Sequence, residues 1–180
     1  MQLTLHNLQR WDLAACGTFN RINHVRVGSA GFALVSRLGD GVFWYALMLA
    51  LPIVHGAGDW GLSMLLALTG SLSTLVYRWL KGSTRRPRPC DVDGTLRRTV
   101  APLDRFSFPS GHTLHAVGFT VLTVCVHPGW AWILVPFTAL VACSRLVLGL
   151  HYPSDVAAGA SIGALMATAG YLAGRALGIV

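Results

Sequence analysis

Five long apolar runs, separated by short polar or Pro/Gly breaks, organise the chain from residue 41 onward. They extend from about Gly41 to Ala57, Trp60 to Leu80, Thr113 to His127, Trp130 to Gly149 and Ser154 to Ala176. Crossing a bilayer as a helix takes about 20 mostly apolar residues, with latitude for tilt and for polar ends buried in protein. The pattern therefore predicts a bundle of membrane-spanning helices, the third beginning near Ser110 so as to be long enough. Only Gly58-Asp59 separates the first two runs and only Pro128-Gly129 the third and fourth. These pairs read as tight helical hairpins, with Trp60 and Trp130 placed as interfacial anchors.

Residues 1–40 follow a different pattern. Leu5, Leu8, Trp11, Ala15, Phe19 and Ile22 recur at helical spacing while His, Asn, Gln, Asp and Arg fill the other face, which predicts a helix lying in the membrane interface. The apolar stretch Val27 to Ser36 is too short to span alone. It either extends the first span as a broken segment or, crossing separately, makes a sixth. The expected fold class is all-α: one membrane domain over residues 1–180, with an interfacial segment 1–40 and a transmembrane helical bundle 41–180 of about five spans. The mixed polarity of residues 1–26 predicts no removed signal peptide. In the last run, Gly159/Gly163 and Gly170/Gly174/Gly178 form small-x-x-x-small ridges, read first as close packing within the bundle and second as a homodimer face.

Composition supports the membrane reading and adds a basic loop. The chain is 53% hydrophobic and 12% charged, with mean hydropathy +0.55, too apolar for an ordinary soluble domain. Fourteen Lys and Arg against seven Asp, with no Glu, give a formal charge of +7. Seven of those cations (Lys81, Arg85, Arg86, Arg88, Arg97, Arg98, Arg105) fall in one segment between apolar runs. Such a loop beside a membrane attracts anions. Composition alone favours lipid headgroups; a phosphorylated substrate is the sharper reading; no aromatic-interleaved basic surface points to nucleic acid. Cys16, Cys90, Cys125 and Cys143 show no C-x-x-C spacing, and neither a disulfide nor a zinc site is inferred.

Three motifs carry candidate chemistry. Six residues separate Lys81 from Arg88-Pro89, the pair offering a point charge and a planar fork to phosphate oxygens, although a positive flank after a span is a common and blander use of such residues. Pro109-Ser110-Gly111-His112 opens a span, where free backbone N–H groups face an anion and an imidazole titrates near neutral pH. Ser144-Arg145 precedes His151 and Asp155. An arginine inside an apolar run calls for an anionic partner, and an aspartate four residues beyond a histidine can orient its ring by a hydrogen bond. With five spans, the Lys81–Phe108 loop, the Arg145–Asp155 junction and the N-terminal segment share one membrane face, so active-site loops 81–112 and 144–155 can converge there.

Together these segments match the K-x6-R-P, P-S-G-H and S-R-x5-H-x3-D signatures of the type 2 phosphatidic acid phosphatase (PAP2) superfamily with no fixed position altered, and the chain from Lys81 to the last helix resembles that family. The resemblance implies that His151 attacks phosphorus to give a phosphohistidine, that Asp155 holds His151, and that His112 protonates the leaving oxygen. It implies that Lys81, Arg88 and Arg145, with Ser110 and Gly111, bind the phosphoryl oxygens. Neither a metal nor another cofactor is expected. His112, His115, His151 and Asp155 can be drawn as a metal site, but three basic residues in the same pocket repel a cation.

The compact layout resembles small bacterial polyprenyl diphosphate phosphatases, which implies undecaprenyl diphosphate or a similar carrier as substrate. Phosphatidic acid, phosphatidylglycerol phosphate and lipid A phosphates are the competing lipids. Expected partners are thus a lipid phosphate and membrane lipids. A transporter or a lipid-binding scaffold needs no histidine pair, and a vanadate-dependent haloperoxidase needs no spans. The resemblance places the protein in the plasma (inner) membrane with its site facing outward. Positive-inside counting runs the other way, since Arg10, Arg21, Arg26 and Arg37 lie on the active-site face against Arg175 opposite.

Overall fold

The computed structural model describes residues 2–180. Its eight α-helices among those residues are α1 (Gln2–Asn20), α2 (Arg26–Gly39), α3 (Val42–His55), α4 (Trp60–Thr84), α5 (Pro89–Val92), α6 (Gly111–Val126), α7 (Ala131–Val147) and α8 (Pro153–Ala176). The apolar runs set the long helices, and local chemistry sets their ends. Arg85 stops α4 in the left-handed conformation at φ 48°. Ser110 caps α6 by accepting from the Thr113 amide at 3.5 Å. Pro153 opens α8, and the Asp155 carboxylate accepts from the Tyr152 amide at 2.9 Å, closing a capping box.

Three helices or helical stretches are long and apolar enough to cross a membrane, and counting α2 and α3, bent by 53° at a short break, as one span brings the number to four. The stretch from residue 27 forms α2, which passes the length and apolarity test only together with α3. Length and apolarity thus single out three to four spans where the apolar runs predicted about five, because α6, apolar but only 16 residues long, is below the length of the others. It lies at the centre, against α4, α7 and above all α8. The core around it contains Trp44, Leu47 and Leu51 of α3, Leu62 and Leu66 of α4, Phe119 and Leu122 of α6, and Leu134 and Val141 of α7. Large apolar side chains such as Ile53, Met64, Leu75, Trp79, Trp132 and Leu165 point outward instead, as a lipid-facing surface requires.

Glycines permit the closest helix approaches. A β-carbon at Gly159 would stand 2.5 Å from the Ser110 carbonyl, and one at Gly163 2.2 Å from that of Leu114, so α8 lies directly on the α6 backbone. Gly170 and Gly174 instead make room for side chains of α4, those of Thr69 and Leu65. Gly159, Gly163, Gly170 and Gly174 of the small-residue ridges are thus packed within the chain, while nothing lies within 4 Å of a β-carbon at Gly178.

Helix α1 shows why its polar positions exist. The side chains of Leu5 and Leu8 lie outside the described residues, while Trp11, Phe19 and Ile22 are exposed, consistent with an outward apolar face. The inward face carries Asp12 and Asn20 beside buried Cys16, and buried Asn23 follows in the turn after α1. Asn20 Nδ2 donates to the carbonyls of Val147 (2.8 Å) and Arg97 (2.9 Å), and Asn23 Nδ2 donates to Arg97 at 2.6 Å. The helix therefore braces the basic loop that follows α4.

Candidate active site

One end of the bundle gathers the last turn of α4, the loop after it, the start of α6, the last turn of α7 and the turn before α8. Lys81, Arg88, Gly111, His112, Arg145 and His151 consequently line one cavity of about 330 Å³. Ser110 and Asp155 do not line it. Ser110 is buried behind it with its hydroxyl 3.0 Å from that of Thr113, and Asp155 is buried beneath His151.

The three expected cations are all buried, at 2–5% exposure, so their charges are withdrawn from water. Lys81 Nζ donates to Asp104 Oδ1 and to the Phe106 carbonyl, both at 2.8 Å. Arg88 donates to the same carboxylate oxygen at 2.8 Å and to the Leu150 carbonyl at 2.6 Å. Asp104 Oδ1 thereby bridges two cations as a phosphoryl oxygen would. Arg145 donates to the Ser36 hydroxyl of α2, yet its Nε has no partner, the one such atom on a charged group among the described residues. An unsatisfied buried donor costs about 1–3 kcal/mol, more on a charged group. Arg145 lines the cavity together with Lys81 and Arg88, which makes its wall strongly cationic.

His151 is held in a single tautomer, although not by the expected partner. Its Nδ1–H donates to the Ser107 carbonyl at 2.7 Å, while Asp155 Oδ2 stands 3.7 Å away. Both Asp155 oxygens are taken, one by the Tyr152 amide and one by Arg86 at 2.7 Å. The carboxylate therefore supplies negative potential below the ring, and Ser107 fixes the proton. Nε2 keeps its lone pair, 3.3 Å from Arg88 Nη1. Burial first, then the charges of Arg145, Arg88 and Lys81, hold the His151 pKa well below its ordinary value, so the ring is neutral at pH 7.

Four groups escaped the sequence reading. Arg86 looked like a loop charge, but it clamps Asp155 and Asp12 (2.8 Å) and stacks 3.9 Å over the Tyr152 ring. Asp12 of α1 in turn accepts from the Ser154 amide at 3.1 Å. Asp104 bridges Lys81 and Arg88, and Asp40, between α2 and α3, pairs with His112 Nε2. A signal for Asp40 existed in the Gly39-Asp40-Gly41 break inside an apolar stretch. Nothing local marks Arg86 over Arg85.

The alternative metal grouping does not assemble. His115 bonds the Gly111 and Gly70 carbonyls (2.8 and 3.1 Å) within the bundle, and Arg88 stands against His151. Among the described residues, the His/Asp group close enough to share an ion is His55, Asp59 and His127, at the opposite end. There His127 bonds Asp59 at 2.7 Å and Trp130 donates to His55 at 3.0 Å, tying the two hairpin turns together.

From the cations the cavity continues along Trp44, Tyr45 and Met48 of α3, Ala67 and Gly70 of α4, and Phe119 of α6. A polar head and an apolar slot are thus contiguous.

Residues 60–178 match the sequence model of the PAP2 superfamily. The chain is 29% identical over 154 residues to an undecaprenyl-diphosphatase of Sulfolobus acidocaldarius, covering 81% of this chain and 71% of that one. It is 44% identical over 63 residues to the bacitracin transport permease protein BcrC of Bacillus licheniformis, a match that covers 34% of this chain and spans only 30% of that relative. In fold it is similar to a transmembrane PAP2-type phosphatidylglycerolphosphate phosphatase from Bacillus subtilis. The TM-score is 0.77 at 23% identity, covering 94% of this chain and 87% of the other.

Proposed function

This chain belongs to the PAP2 superfamily, a family of phosphatases acting on lipid phosphates, and from that premise we propose that it releases phosphate from a polyprenyl diphosphate, undecaprenyl diphosphate foremost. The observation that carries the reading is the unpaired Nε of buried Arg145 beside Lys81, Arg88 and neutral His151, at the head of an apolar slot. The cations ask for a phosphate; the slot asks for a chain attached to it.

In the proposed reaction, His151 Nε2 attacks phosphorus as the P–O bond to the leaving group breaks. Lys81, Arg88 and Arg145 hold the equatorial oxygens, with the backbone of Gly111 at the start of α6, and Asp104 yields its place on the cations. His112 gives its proton to the leaving oxygen. It then takes one from the water that attacks the phosphohistidine, releasing inorganic phosphate and restoring both histidines. Such transfer asks a protein for positioning and fixed charge, which these side chains provide without a metal.

A phosphate-release panel in detergent, run with chelator and without added metal, tests this. Undecaprenyl diphosphate is expected to be turned over fastest, ahead of phosphatidic acid, phosphatidylglycerol phosphate and lipid A phosphates. Fastest turnover of another lipid reassigns the substrate, and activity that vanishes with chelator and returns with a divalent ion overturns the metal-free reaction. The proposed placement is in the plasma membrane with the cavity facing outward. Gly94 is exposed in the active-site loop with no atom within 4 Å of a β-carbon there. In intact cells a Gly94→Cys variant is expected to react with an impermeant maleimide; its protection would reverse the orientation.

A further inference from the structure

The first membrane crossing is broken where a straight helix would have served the bilayer better. Its halves, α2 and α3, meet at 53° across Asp40-Gly41, and Gly41 has a φ of +143°, a conformation costly for any residue with a β-carbon. A β-carbon there would also stand 3.0 Å from the Tyr45 ring. A kink has a cause in sequence, and here the break has a product. It turns one carboxylate inward at the cavity wall, where Asp40 pairs with His112 Nε2. No other partner of the Asp40 carboxylate exists among the described residues.

We propose that Asp40 is the positioning residue of the acid–base histidine, and that the break in the first span exists to deliver it. The proposal rests on the assignment of His112 as proton donor to the leaving oxygen. With Nε2–H held by Asp40, the proton that moves is the one on Nδ1, which has no partner among the described residues. As the P–O bond to the leaving group breaks, that proton passes to the departing oxygen and His112 becomes neutral. When water attacks the phosphohistidine, Nδ1 takes the water's proton while the P–N bond to His151 breaks. The carboxylate keeps ring orientation and tautomer constant through both steps and offsets the positive charge that Arg145 imposes from the other side of the cavity. The two imidazoles are thus held differently: His151 donates to the Ser107 carbonyl, and His112 is in direct contact with a carboxylate.

A double-mutant cycle on phosphate release from phosphatidic acid, whose leaving group is a poorly stabilised alkoxide, separates positioning from mere structure. Asp40→Asn is expected to lower kcat about 30-fold with KM within twofold, a part of the roughly 10²- to 10⁴-fold that acid–base catalysis supplies, and Asp40→Glu to recover part of the loss. In a His112→Ala background, Asp40→Asn is expected to cost nothing more. The first-turnover burst from p-nitrophenyl phosphate, whose nitrophenolate leaves unprotonated, is expected to fall less than threefold. Equal losses with and without His112, or an unchanged kcat for Asp40→Asn, would overturn the proposal. A His112→Ala variant with wild-type kcat would instead overturn the acid assignment beneath it.

Discussion

Replacing His151 with asparagine is expected to abolish phosphate release, by about 10⁴- to 10⁶-fold, the scale on which loss of an attacking group is felt, while the protein still folds. Asparagine approximates the ring's Nδ1 side and can still donate to the Ser107 carbonyl, which His151 meets at 2.7 Å. What it lacks is the Nε2 lone pair. Label from a ³²P-substrate is expected to remain on the wild type quenched in alkaline detergent, where a phosphohistidine survives, to be lost on acid treatment, and to be absent from the variant. Retention of more than about 1% of wild-type activity would place the nucleophile elsewhere, since no intact triad member substitutes for a missing nucleophile on that scale.

The same substitution has a pH signature in stability. The folded His151 pKa is depressed by burial and by Arg145, Arg88 and Lys81, whereas the unfolded ring titrates near ~6.5. As pH falls below that value, the unfolded chain binds a proton that the folded one refuses, so the fold loses stability toward acid. In asparagine's absence of titration, that increment disappears. Thermal midpoints measured from pH 7 down to pH 5 are expected to fall less steeply for His151→Asn than for the wild type.

Gly163→Ala is expected to produce the largest loss of stability in the bundle. Its new β-carbon would lie 2.2 Å from the Leu114 carbonyl oxygen and 3.2 Å from the Gly118 amide nitrogen, both backbone atoms of α6. Backbone cannot swing aside as a flexible side chain does, so the two helices must separate along their whole contact. Overpacking costs typically about 1–3 kcal/mol, occasionally more, and this contact belongs at the upper end. Gly159→Ala meets the Ser110 carbonyl at 2.5 Å and is expected to lose activity along with stability, because it displaces the helix end that carries His112. Gly31→Ala is the control: nothing lies within 4 Å of a β-carbon there, and in a helix alanine is favoured over glycine. Thermal unfolding in detergent that shows equal midpoints for Gly163→Ala and Gly31→Ala would contradict this packing.

The contrast between His151 and His112 shows where sequence reading stops. Asp155 lies four positions after His151, a spacing that predicts contact across one helical turn. The prediction met a competitor, because Asp155 is also the third residue of α8 and its carboxylate closes that helix's own N-terminus on the Tyr152 amide. Arg86 takes the other oxygen, and His151 finds the Ser107 carbonyl, 44 positions away. Asp40 lies 72 positions from His112, and Asp12 lies 142 from Ser154. Spacing along the chain carries no information about such pairs.

By itself the sequence determined the long helices, since apolar runs of bilayer length have few other uses, and it placed Lys81, Arg88, His112, Arg145 and His151 at helix ends of one parity. It also led to the expectation of an anionic partner for Arg145, whereas the side-chain partner in the fold is the Ser36 hydroxyl. The tertiary structure decided which atom holds which. Hydrogen bonds and ion pairs act over about 3 Å, so the orientation of His151 by Ser107, the clamp of Arg86 on Asp155 and Asp12, and the pairing of Asp40 with His112 came into being only when α8 closed onto the α6 backbone and the first span broke at Gly41.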